Sequence, residues 1–105
     1  MPTAREIFQH MPDRFRPEKA GDLKAVVQFD LSGEGGGQWV VTIQEGTLEV
    51  QEGRVDNPTT TIRMAADDYV ALTQGKLNPV TAAMTGKIRV EGNMGVALRM
   101  QTLFG

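Results

Sequence analysis

The sequence predicts a single domain, residues 1–105, built from both helices and strands. Three observations predict it. Residues 24–64 alternate apolar and polar side chains in short runs separated by glycine-bearing turns, the period of half-buried strands. The start of the chain and its last third instead carry apolar residues at helical spacing behind capping residues such as Thr3 and Asn78. The 105 residues suffice for one hydrophobic core, and no linker-like stretch or internal repeat divides them.

Thr3-Ala4-Arg5-Glu6 fits a capping box, in which Thr3 and Glu6 each satisfy an amide that the first turn leaves unbonded. Ile7, Phe8 and Met11 follow at helical spacing, so a first helix runs from about Ala4 to Met11, and Pro12 marks its end or a kink. Phe15 docks the next turn. Lys24 to Ser32 forms a strand with Ala25, Val27, Phe29 and Leu31 on one face and Val26, Gln28 and Asp30 on the other. Gly33 to Gly37 is a flexible hairpin loop leading to a second strand, Gln38 to Gln44, with Trp39, Val41 and Ile43 on one face. Glu45-Gly46 turns into a third strand containing Leu48 and Val50. After the Glu52-Gly53 and Asn57-Pro58 breaks, the β-branched run Thr59 to Met64 makes a fourth.

Beyond residue 65 the pattern turns helical. Asp67 reads as an N-cap for a helix that holds Tyr69, Val70 and Leu72 and stops at Gly75. Asn78 caps a short helix with Pro79 in its first position; Val80, Ala83 and Met84 form its inner face, and Gly86 closes it. Lys87 to Glu91 is a fifth strand. Asn93 caps a last helix over residues 94–104. On a wheel of about 100° per residue, Met94, Val96, Ala97, Leu98, Met100, Leu103 and Phe104 fill an arc of roughly 220°, against the stripe of about 100° or somewhat more that a core-facing helix needs.

Three arrangements satisfy so wide an arc: complete burial in the core, core on one side with a lipid cavity on the other, or a seam between two copies. Gln101 falls inside the arc, where it bonds either a ligand's polar group or a buried backbone group, since an unpaired buried amide is costly. Trp39 either lines a cavity or fills the core. Besides Met1, the methionines Met11, Met64, Met84, Met94 and Met100 all fall in predicted elements, and flexible thioethers suit both core filling and a pocket of adaptable shape.

Composition narrows the function. There is no cysteine, so no disulfide and no thiolate chemistry or Cys-ligated metal. His10 is the single histidine and has no partners arranged as a catalytic triad, and Asp67-Asp68 reads as a helix start rather than an acid–base pair. Residues 33–37 lie between strands, not before a helix, so they are no dinucleotide fingerprint. No catalysis, metal or cofactor is therefore expected. The formal net charge of −2 speaks against nucleic acid, and the absence of an apolar run near 18 residues against a membrane span. The beginning of the chain lacks the apolar block of a secretory signal, and Leu103-Phe104-Gly105 is not a peroxisomal address, so a cytoplasmic protein is expected. Charge is uneven: residues 69–105 carry Lys76, Lys87, Arg89 and Arg99 against Glu91 alone, which favours transient contact with an anionic membrane or is simply a solvated surface.

The segments Gly75-Lys76-Leu77-Asn78-Pro79, Met84-Thr85-Gly86-Lys87-Ile88 and Gly92-Asn93-Met94-Gly95-Val96-Ala97-Leu98 resemble, in this order and spacing, the sterol carrier protein type-2 family of nonspecific lipid-transfer proteins. The match is strong over residues 65–104 and looser from residue 22, where it includes Asp30-Leu31-Ser32-Gly33 and Gln38-Trp39. The resemblance implies an α+β fold: a mainly antiparallel five-stranded sheet covered by helices, with an apolar tunnel between them. It also implies non-catalytic binding of fatty acids, acyl-CoA, phospholipids or sterols. Met84, Met94, Ala97 and Leu98 match the family's motifs; the wheel adds Met100, Gln101, Leu103 and Phe104 to the expected lining, and Trp39 completes it. One departure is Ala83, where the family usually has phenylalanine. The first expectation is a monomeric lipid carrier. The alternative is an accessory module whose apolar surface joins an enzyme of hydrophobic metabolites.

Overall fold

The computed structural model describes residues 2–104; Met1 and Gly105 lie outside them, so the expectation for the C-terminal tripeptide is covered only at Leu103 and Phe104. The fold is α+β. Helix α1 spans Ala4–Arg14, α2 Pro17–Ala20, α3 Ala66–Thr73, α4 Pro79–Met84 and α5 Met94–Arg99. The strands are β1 Ala25–Ser32, β2 Gly37–Gln44, β3 Thr47–Glu52, β4 Thr60–Ala65 and β5 Arg89–Gly92.

The strands form one sheet in the order β3-β2-β1-β4-β5. Pairing is antiparallel except between β1 and β4, which run parallel. Hairpins connect β1 to β2 and β2 to β3. The chain must then cross to the other side of β1. Staggered registers make that crossing short: Glu52 ends β3 level with Trp39 and Phe29, while Thr60 begins β4 level with Val27. Residues 53–59 therefore step across the sheet without a helix. Gln28 pins them from beneath. Its Nε2 donates to the carbonyls of Gly53 (3.0 Å), Phe29 (3.2 Å) and Trp39 (3.3 Å), and its Oε1 accepts from the Val55 amide at 2.9 Å. Gln28 lies on the polar face that the alternation assigns to it, yet it is fully buried there, because the crossing segment covers it.

All the large side chains of the other face point toward the helices. Cross-strand pairs Phe29–Trp39, Val27–Val41 and Ala25–Ile43 share that face, and all six are buried. Phe8 of α1 sits at the centre. Its ring stacks on Trp39 (centroids 4.6 Å apart) and on Tyr69 of α3 (4.9 Å), and meets Phe29 edge-on at 5.2 Å. Each such aromatic pair adds about 0.5–1.5 kcal/mol beyond the burial itself. Arg5 of α1 reaches Glu52 at the end of β3, at 2.6 Å, but both side chains are half exposed and the pair adds little.

Several elements depart from the sequence reading. The first helix carries its capping box but continues through Pro12 to Arg14: Phe8 and Met11 are both buried, and the packing of this face outweighs the one amide hydrogen bond that proline cannot make. The short α2, opened by Pro17, was not expected; four residues give too little periodicity to read. Asp67 does not cap α3. The chain passes from β4 straight into the helix, with Ala65 at the N-cap and no side-chain cap bond, so Asp67 and Asp68 lie within the first turn. The fifth strand is Arg89–Gly92, shifted toward the C-terminus because the Lys87 and Ile88 amides bond back to the Ala82 carbonyl. The last helix stops at Arg99, and turns carry the chain from Met100 to Phe104.

Candidate functional site

Helices α4 and α5 are six residues each, too short to close against the sheet. Each sends a single small or medium side chain into the interior, Ala82 from α4 and Val96 from α5. The sheet opposite them, at Phe29, Ile62, Met64 and Val90, is left without full cover. The result is a cavity of about 600 Å³ between helices and sheet, within the range of about 300–1,000 Å³ usual for small-molecule sites. The sheet makes its floor. Ile7 and Met11 of α1 and Tyr69 and Leu72 of α3 make its inner wall. Val80, Ala83 and Met84 of α4, with Met94, Ala97 and Leu98 of α5, form its cover and rim.

The three segments singled out in the sequence build that cover. Asn78 Oδ1 accepts from the Val80 and Thr81 amides, and Pro79 sets the first helical residue, so α4 begins where the sequence places it. Gly75 ends α3 at φ +74° and Gly86 follows α4 at φ +80°, a backbone region that residues with a Cβ rarely occupy. Asn93 Oδ1 accepts from the Val96 amide and starts α5 in the same way. After α5 the chain is tied down. The Arg99 guanidinium donates to the Lys19 and Ala20 carbonyls at 3.0 and 2.9 Å. The Leu103 carbonyl accepts from the Arg16 amide at 2.8 Å, and Phe104 bridges Phe15.

The structure distributes the expected site residues as follows. Met84, Met94, Ala97, Leu98, Met100, Gln101 and Phe104 all line the cavity. Trp39 and Leu103 do not: Trp39 is buried against Phe8, and Leu103 is wholly buried in the core. The face expected to turn inward on α4 is exposed, with Met84 at 83% of its full accessibility and Val80 at 61%, because the cavity it lines is open there. The sequence reading did not include Ile7, Phe29, Ile62, Tyr69 or Leu72 in the lining. Their periodicity marks them as inward-facing, but only the tertiary arrangement separates inward toward core from inward toward a cavity.

All five methionines after Met1 line this one space. Among the described residues its polar side chains are Arg14, Tyr69, Thr73 and Gln101, and none is acidic. The Thr73 hydroxyl is already spent on the Val70 carbonyl at 2.9 Å. Burial pushes the Tyr69 phenol well above its ordinary pKa, with the positive charge of Arg14 opposing in part, so Tyr69 stays neutral at any physiological pH. Such a surface suits apolar chains that bind by exclusion of water, with Arg14, Tyr69 and Gln101 as its further polar side chains. It offers no nucleophile–base pair. Among the described residues no group of three or more histidines and carboxylates is placed to hold a metal ion, and no helix is long and apolar enough to cross a membrane.

Known proteins share this fold. The chain is 35% identical over 102 residues to hydroxysteroid dehydrogenase-like protein 2 from Mus musculus, covering 96% of this chain but 21% of that protein. Its fold matches the sec-alkylsulfatase Pisa1 from Pseudomonas sp. with a TM-score of 0.84 and 16% identity, over 99% of this chain and 17% of that one. It also matches the palmitated SCP2L2 from Aedes aegypti, with a TM-score of 0.79 and 21% identity, over 94% and 91% of the two chains. This chain thus spans only about a fifth of the length of these two proteins. The family model for the SCP-2 sterol transfer family matches residues 5–105, and the chain belongs to that family.

Proposed function

We propose that this protein binds a lipid in the cavity between its sheet and helices and carries it through the cytoplasm, a reducing setting that a chain without cysteine suits. The observation that carries the reading is the convergence of all five internal methionines on one apolar space of about 600 Å³. Each methylene moved from water into such a surface contributes about 0.8 kcal/mol, so an acyl chain is held without many polar contacts. The thioethers let the lining adjust to chains of different shape. A cavity between helices and sheet supports the apolar tunnel that the resemblance implies, and the palmitated state named for the Aedes aegypti relative supports an acyl ligand. Met84, Met94, Ala97, Leu98, Met100 and Phe104 would touch the chain, with Gln101 available to its polar end.

Native mass spectrometry of the purified protein, followed by extraction of any bound lipid, tests occupancy and names the class. NMR of methyl-labelled methionine then tests the site. On titration with oleate, the signals of Met11, Met64, Met84, Met94 and Met100 should all move. A protein that takes up no fatty acid, acyl-CoA or phospholipid would refute the proposal.

A second reading has its own support. The matched segment is a minor part of hydroxysteroid dehydrogenase-like protein 2 and of the alkylsulfatase, so the same fold serves beside catalytic domains. In that setting this chain would hold a hydrophobic metabolite for a partner enzyme. Co-purification with such an enzyme, without stoichiometric lipid, would favour it over the carrier.

A further inference from the structure

We infer that Met84 and Met94 form an oxidant-sensitive modification site at the mouth of the cavity: a hydroperoxide converts their thioethers to sulfoxides and so weakens the hold on a bound acyl chain. The inference rests on the lipid-binding reading above and adds a chemical control to that same site. The five methionines of the lining divide by exposure. Met11, Met64 and Met100 are 7%, 6% and 8% accessible, whereas Met94 on α5 is 55% and Met84 on α4 is 83% accessible. Among the described residues, the exposed thioethers therefore all belong to one rim. Trp39 and Tyr69, which oxidants also attack, are buried in the ring stack with Phe8, and the chain has no cysteine. An oxidant arriving through water thus meets accessible sulfur at the mouth.

Hydrogen peroxide supplies the oxygen. The sulfur lone pair attacks one peroxide oxygen, the O–O bond breaks as the S–O bond forms, and a water molecule leaves. The thioether is oxidised by one electron pair and the peroxide is reduced by the same pair. A flexible apolar side chain thereby becomes a polar, chiral one. A hydrocarbon chain seated against the new sulfoxide takes its oxygen out of water, which is costly unless a hydrogen-bond donor replaces the water. The neighbours that line the mouth from the same two helices, Val80, Ala83, Ala97 and Leu98, have no donor in their side chains. The same two thioethers that adapt to an acyl chain thus stop doing so when oxidised. Both sulfoxide epimers are reducible by methionine sulfoxide reductases, one enzyme for each, so the change is reversible. Lipid retention then follows the peroxide level.

Titration with hydrogen peroxide, followed by peptide mapping in the mass spectrometer, tests this, with oleate affinity measured on the same samples. Met84 and Met94 should each oxidise about tenfold faster than Met11, Met64 or Met100. Affinity for oleate should fall by about tenfold once both carry sulfoxides. Methionine sulfoxide reductases A and B with dithiothreitol, which remove the oxygen as water while the dithiol closes to a disulfide, should restore it. Met84→Leu combined with Met94→Leu keeps apolar side chains of similar size and removes the thioethers. The oleate affinity of that protein, compared with its own value before peroxide, should not change. Inner methionines that oxidise as fast as the rim, or an affinity unchanged when Met84 and Met94 are sulfoxides, would overturn the modification site and leave the cavity reading intact. So would a loss that the reductases do not reverse or that the doubly substituted protein shares. A protein that binds no oleate before peroxide is added overturns both.

Discussion

Ala83 offers a test of whether one side chain sets what this cavity admits. It lies on α4 in the lining, at the position where the resemblance leads one to expect phenylalanine. Ala83→Phe should therefore shorten the acyl chain that fits. Affinity for long fatty acids should fall by about 0.8 kcal/mol for each methylene excluded, while short ones bind as before. A displacement series from decanoate to stearate reads this directly, and an unchanged profile would mean that position 83 does not face the ligand. The residue scale also shows what the sequence discloses. The alternation in β1 and β2 identifies Phe29 and Trp39 as inward-facing, and they are cross-strand neighbours on that face. It cannot tell that Phe29 reaches the cavity while Trp39 is sealed under Phe8, because that depends on where a helix from another part of the chain comes to rest. Gln28 is the converse: a polar residue in its expected register, buried only because residues 53–59 pass over it.

At the scale of elements, α4 and the segment after α5 differ in how they are held. The chain beyond α5 is fastened by Arg99, by the Leu103 carbonyl and by the Phe15–Phe104 bridge, and Leu103 itself is core. Helix α4 has one buried residue, Ala82, whose carbonyl also receives the amides of Lys87 and Ile88, and a glycine with positive φ beyond each end. With fewer ties than the segment after α5, α4 is expected to be the more easily displaced part of the cover. Asn78→Ala removes the bonds to the Val80 and Thr81 amides and should destabilise α4 by about 1 kcal/mol. Hydrogen exchange should then quicken in residues 79–84 and stay slow in β1 and β2, and lipid should be released faster. Uniform acceleration across the sheet would instead show that α4 is integral to the global fold. Local signals made α4 legible: a cap, a proline and a closing glycine within a few residues. The C-terminal segment was not legible, because a wheel assumes that the helix continues. What ends it is pairing with residues 15–20, far away in sequence: Arg99 with Lys19 and Ala20, Leu103 with Arg16, and Phe104 with Phe15.

For the whole molecule, the three-ring stack of Trp39, Phe8 and Tyr69 joins sheet, α1 and α3, and it contains the chain's single tryptophan and single tyrosine. Both are therefore optical reporters of one event. In the unfolded chain a phenol ionises near pH 10. In the folded protein burial raises the Tyr69 pKa above that value, the charge of Arg14 opposing only in part. The folded state thus keeps a proton that the unfolded state loses, and stability falls as pH rises beyond about 10. Below that pH both states are protonated and this group's contribution is constant. Tyrosinate absorbance should accordingly stay absent through pH 10 and appear in one cooperative step, at the same pH at which Trp39 emission shifts to its unfolded value. Tyr69 also borders the cavity, so a bound acyl chain that displaces water from beside the phenol should move this step to higher pH. Gradual ionisation near pH 10 with native tryptophan emission would show that water reaches the phenol through the cavity. In that case the space is wetter than an acyl-chain site requires, and added lipid should at least suppress the early titration.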